Sequence, residues 1–127
     1  MKRDMDLIRK ILLKLEEFLT DDDIEKIQLD GYSPEQIIYH VFLLEEAGLI
    51  RAKILFGSGT TAPVDYVIFG LTWAGHDFLD ACREEGRWEK AKDVFRQAGG
   101  VSFDIAKEVL VRLMMTSVTS ILTGGAA

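Results

Sequence analysis

The chain alternates between stretches with a helical apolar stripe and short apolar runs. From 4 to 19, Ile8, Ile11, Leu12, Leu15, Phe18 and Leu19 recur at three- and four-residue spacing, with Lys10, Lys14, Glu16 and Glu17 between them. That spacing predicts an amphipathic helix. Asp21-Asp22-Asp23 ends it, and the partial alternation of Ile24, Ile27 and Leu29 predicts a short strand over 24–29. Ser33-Pro34-Glu35-Gln36 is a helix start. Ser33 can accept a backbone N–H, Pro34 suits the first helical position, and Gln36 can close a capping box. This helix runs from 34 to about 47 and stops at Gly48. Ile37, Val41 and Leu44 form its buried stripe, flanked by Ile38 and Ala47; Glu35, Gln36, Tyr39, His40, Leu43 and Glu46 fall on the other side.

Ile50–Phe56 and Val64–Leu71 read as the strands of a hairpin joined by a flexible loop, Gly57 to Pro63. Thr72 caps a helix from Trp73 to about Arg83. Gly86 interrupts the chain, and a helix containing Trp88, Ala91, Val94 and Phe95 runs to about Gln97. Gly99-Gly100 is a break, and Ser102 caps a last helix over 103–122. Trp73, Phe78, Trp88 and Phe95 are expected in the core.

These elements predict an α+β fold: a winged-helix-like domain over 1–98, made of helices and a small antiparallel sheet with a wing hairpin, then a C-terminal helix over 99–127. Two segments carry the detail. His40 to Ile50 resembles the end of the recognition helix in bacterial winged-helix regulators, where a leucine-rich helix passes through Ala-Gly-Leu into the wing. Leu71-Thr72-Trp73-Ala74-Gly75-His76 resembles the Leu-Thr-x-x-Gly segment after the wing. A wider resemblance runs through Met1 to Leu12, Gly31-Tyr32-Ser33 with Tyr39-His40, Leu71 to Ala81, and Trp88 with Lys90 and Lys92. On these motifs the chain resembles domain of unknown function 2513, an uncharacterised bacterial and phage family. The resemblance implies a small bacterial or prophage-associated protein with no assigned activity, and it carries over no catalytic or binding residue.

Charge changes the picture. The 127 residues carry 15 Lys and Arg against 21 Asp and Glu, a net of −6. The excess is local: residues 21–48 hold eight acids and one base, Lys26, for a net of −7. A duplex reader needs cations facing phosphate. If the 34–47 helix met DNA, its base-reading side chains would be Gln36, Tyr39 and His40, with Arg51 and Lys53 at the wing base as the nearby cations. The same five residues are candidate contacts for a protein partner. The support helix of a full helix-turn-helix is expected to be missing or reduced to a turn near Asp21–Ile24.

No catalytic constellation emerges. His40 and His76 lack metal-ligand spacing, Gly57-Ser58-Gly59 lacks the lysine of a phosphate loop, and no Ser, His and acid set has motif support. The expectation is no enzyme activity, no cofactor and no metal. Cys82 stands alone and is expected to act as a small buried hydrophobe. The charged start lacks a signal-peptide core, and no apolar run reaches membrane-spanning length, so a soluble cytoplasmic protein is expected. The last helix is apolar around much of its circumference. One stripe packs on its own domain; Leu110, Leu113, Met114, Val118 and Ile121 are the candidate contacts of a homodimer. Two functions follow as alternatives: a DNA-binding transcriptional regulator, or a non-enzymatic protein-interaction module on the same scaffold without DNA affinity.

Overall fold

The computed structural model describes residues 1–18 and 23–124. It has an α+β architecture in the order α1 (Met5–Leu15), α2 (Pro34–Glu46), β1 (Ile50–Phe56), β2 (Pro63–Leu71), α3 (Trp73–Cys82), α4 (Glu85–Gln97) and α5 (Phe103–Leu122). The chain forms two compact units, 1–79 and 80–127, with the boundary inside α3.

In the first unit, α1 starts where the Asp4 carboxylate accepts the Leu7 N–H. It buries Leu7, Ile8, Ile11, Leu12 and Leu15. The helix is shorter than its apolar spacing predicts. It ends in a turn after Leu15, and Phe18 is exposed. Leu19, Asp21 and Asp22 lie outside the described residues. The capping box of α2 is complete: Ser33 Oγ accepts the Gln36 N–H, and Gln36 Oε1 accepts the Ser33 N–H at 2.8 Å. Ile37, Val41 and Leu44 are buried as their spacing requires, whereas Ala47 is exposed.

β1 and β2 pair antiparallel, from Ile50 opposite Leu71 to Phe56 opposite Pro63. Burial alternates across the hairpin, so Tyr66 and Ile68 turn inward while Arg51, Lys53, Leu55, Asp65 and Phe69 are exposed. A register shift lies between Arg51 and Ala52, beside Gly70 at φ +150°. The predicted 24–29 strand is reduced to one bridge, Ile24 with Ile68, whose two N–H···O bonds are 2.8 Å each. The next inward residue, Ile27, gives its N–H to the Tyr66 hydroxyl oxygen instead of to a strand neighbour. A side chain here takes the place of a ladder.

The passage from α2 into the hairpin and out into α3 is one stitched junction. Gly48, at φ +75°, turns the chain out of α2. The Thr72 hydroxyl donates to the Gly48 carbonyl at 2.6 Å and accepts the Gly75 N–H at 3.0 Å, while the Thr72 N–H reaches the Leu49 carbonyl at 3.1 Å. Gly75 is buried, and a Cβ there would stand 2.0 Å from the Leu49 oxygen.

Phe78 is buried as expected, but Trp73 is not a core residue: it is 85% exposed. It occupies the first position of α3, immediately after the capping Thr72, and the core-facing places of that turn go to Gly75 and Phe78. In the second unit the helical break falls at Arg83-Glu84, not at Gly86, and α4 starts at Glu85. The Glu84 carboxylate accepts the N–H groups of Arg87 and Gly86, which hold its carboxyl below the usual range. Gly86 leaves room for that carboxylate, since a Cβ there would lie 3.0 Å from Oε1. Trp88 and Phe95 are buried edge to face, with centroids 6.1 Å apart. Cys82 is free and buried. In α5, Ala106 and Leu110 are buried, and exposure grows toward Leu122.

The junction yields a direct test. Gly75→Ala should lower stability by more than ~2 kcal/mol, because the atom opposite is backbone and cannot swing away. Thr72→Val should cost about 1–2 kcal/mol through the lost cap. Both should appear as lower urea midpoints at unchanged slope.

Candidate functional site

The best candidate is the outward side of α2 together with the adjoining end of the hairpin, all within the first unit. The structure separates the five predicted contact residues. His40 does not belong to the surface. It is 1% exposed, Nε2 accepts the Asp4 N–H at 2.8 Å, and Nδ1 stands 2.7 Å from the Gln36 carbonyl oxygen. Nε2 is therefore unprotonated, and Nδ1 carries the proton that Gln36 O accepts. Helical spacing explains the correction: positions 37, 40, 41 and 44 share one arc, and His40 fills the polar corner of the buried stripe. Gln36 is half-buried, and its side-chain oxygen is committed to the capping box. Arg51 is exposed but leans across the hairpin. Nη1 donates to the Leu71 carbonyl at 3.3 Å, and Nη2 lies 2.9 Å from where a Cβ on Gly70 would stand. Lys53 is exposed on β1, and Tyr39 is half-buried on α2.

Tyr39 instead begins an aromatic ridge. Its ring lies 6.3 Å from Phe42, and Phe42 meets Phe56 of β1 edge to face at 5.9 Å. Phe56 is 48% exposed, and Leu55 and Val64 add exposed apolar surface on the hairpin. The charges on α2 are Glu35, Glu45 and Glu46, all exposed; the helix contains no Lys or Arg. The ridge was missed in the sequence because Phe42 and Phe56 are fourteen positions apart and only the α2-to-β1 turn brings them together.

A second feature lies in the same unit. The segment after Ile24, the start of α2 and β2 line an open cavity of about 460 Å³. Tyr66 lines it and is 4% exposed. Burial pushes the Tyr66 phenol up, the Ile27 N–H on its oxygen pulls the other way, and the Asp65 carboxylate raises it further. Among the described residues no group of His, Cys, Asp and Glu could hold a metal ion. No helix among them is long and apolar enough to cross a membrane.

The family model described as "Hypothetical protein (DUF2513)" matches residues 2–102. A protein of Haemophilus influenzae, itself titled "Uncharacterized protein", is 31% identical over 123 residues, covering 96% of this chain and 99% of its own length. No solved structure matches the chain. The chain belongs to the domain of unknown function 2513 family.

Two measurements follow, one from buried His40 and one from buried Tyr66. His40→Leu leaves the Asp4 N–H without its acceptor and should cost about 1–3 kcal/mol in urea unfolding. Spectrophotometric titration should show a phenol ionising above the ordinary tyrosine value, and Tyr66→Phe should remove it. The sign for stability follows. A raised folded value means the contribution is intact below the ordinary tyrosine value and is lost as pH rises through the folded one.

Proposed function

We propose that the protein is a non-enzymatic protein-interaction module on a winged-helix-like scaffold, and that the α2–hairpin face meets the partner. The observation that carries this reading is the Tyr39–Phe42–Phe56 ridge, which spans α2 and β1, beside helix charges that are all acidic. Aromatic side chains offer large contact area at little entropic cost, and acidic neighbours favour a partner segment with apolar anchors between basic residues. Phosphate would meet repulsion on the same face.

DNA-binding regulation is the second reading. The element order and the exposed Arg51 and Lys53 on β1 favour it. Fluorescence anisotropy with mixed-sequence duplex DNA separates the two. The interaction reading expects no saturable binding at physiological salt. Tight, salt-dependent binding that weakens in Arg51→Ala and Lys53→Ala would replace it with the regulator. A photocrosslinking residue at Phe56 should give a discrete protein adduct in cells of the native host, absent when the same residue is placed at Lys107.

Self-association through α5 accompanies this proposal. The helix has no ionisable residue after Arg112, and Val111, Met114, Val118 and Ile121 follow a 3-4-3 spacing. Leu110 is buried within the chain and drops out of the contact set, Leu113 and Met114 are half-buried, and Val118 and Ile121 are exposed. Analytical ultracentrifugation should show a dimer at high micromolar concentration. Val118→Glu with Ile121→Glu should make it monomeric at unchanged helicity; a wild-type monomer throughout that range would end the idea.

A further inference from the structure

We propose that the cavity beside Tyr66 is a binding site for a small arylalkyl amine: a planar apolar body with a hydrogen-bond acceptor at one end and a protonated amine at the other. Its volume, about 460 Å³, falls within the range of small-molecule sites. It holds a one-ring or two-ring compound.

Three features define the chemistry. The walls include Leu29, Ile37 and Ile38, which are aliphatic and suited to a flat ring. Tyr66 supplies the polar contact. Its oxygen accepts the Ile27 N–H at 2.8 Å, and the hydroxyl keeps its own hydrogen as a donor. A phenol in that state can donate to an ether, carbonyl or ring-nitrogen acceptor on the ligand. The charges on the lining are Glu25 and Asp65 against Lys26, a net negative charge that favours a cationic head. Asp65 is exposed, and its Oδ1 accepts the Tyr66 N–H at 2.8 Å, which holds the carboxylate at the solvent rim of the site, the place for the amine.

The site has a structural consequence. The segment 25–29 is tied to β2 by the Ile24–Ile68 bridge and the Tyr66 hydroxyl. A ligand touching Leu29, Ile38 and Tyr66 would join that segment to α2 and β2 together. Occupancy would stiffen the part of the chain that precedes α2.

Amide-resolved NMR titration of the full chain tests this with three probes sharing one body. They are 5-methoxytryptamine, its neutral N-acetyl derivative, and anionic 5-methoxyindole-3-acetate. The amine should give saturable shifts at residues 25–29, 35–38 and 65–66, and should bind about fivefold or more tightly than the anion, as expected for a partly exposed charge contact. Asp65→Asn keeps an oxygen for the Tyr66 N–H, so the fold should survive; it should bring the amine to the affinity of the N-acetyl probe. Tyr66→Phe should weaken all three probes, with unfolding curves establishing that the variant is folded. Absence of saturable shifts from every probe at low millimolar concentration would overturn the site. Binding of the anion as tightly as the amine, or an Asp65→Asn variant that still prefers the amine, would overturn the assigned ligand class.

Discussion

The Leu49 carbonyl is the point on which the first unit depends. It accepts the Thr72 N–H, and its oxygen fills the space where any side chain on Gly75 would have to lie. Thr72 also clamps the Gly48 carbonyl and caps α3. One threonine and two glycines therefore fix how α2 enters the hairpin and how the hairpin leaves into α3. Register follows from this. With Ile50 held opposite Leu71, Tyr66 and Ile68 turn inward, and Phe56 arrives beside Phe42. A one-residue slip would send the inward set to the surface.

The same junction explains what the sequence made legible. Ala47-Gly48-Leu49 and Leu71-Thr72-Trp73-Ala74-Gly75 stand out as separate segments, and each signals a local event, a helix stop or a helix start. Their partnership is a contact between residues about 24 positions apart, which no local pattern encodes. Caps were readable because their chemistry lies within three residues: Ser33 with Gln36, and Ser102 with Ile105. The 24–29 strand failed because alternation marks burial of Ile24 and Ile27 without specifying a ladder. Trp73 and His40 failed in opposite directions for one reason. Residue type suggested a tryptophan inside and a histidine outside, whereas position decided both.

Electrostatics and shape diverge on α2. Element order suggests a helix offered to a nucleic-acid groove, and the charges of that helix are all negative. The cations nearest in sequence are limited, since Arg51 spends its guanidinium on the Leu71 carbonyl across the hairpin. Aromatic contact area replaces positive charge as the distinguishing property of the surface. The substitution is economical, because Phe42 and Phe56 also hold α2 against β1.

His40 gives the fold a mechanical coupling. Its ring joins the backbone of Asp4, the residue that caps α1, to the Gln36 carbonyl within α2. The two helices are thus joined by a buried side chain as well as by their packing. A rotation or slide of α2 along its axis would stretch the bond to the Asp4 N–H at the start of α1. The outer surface of α2 and the first turn of α1 are thus linked through one buried imidazole.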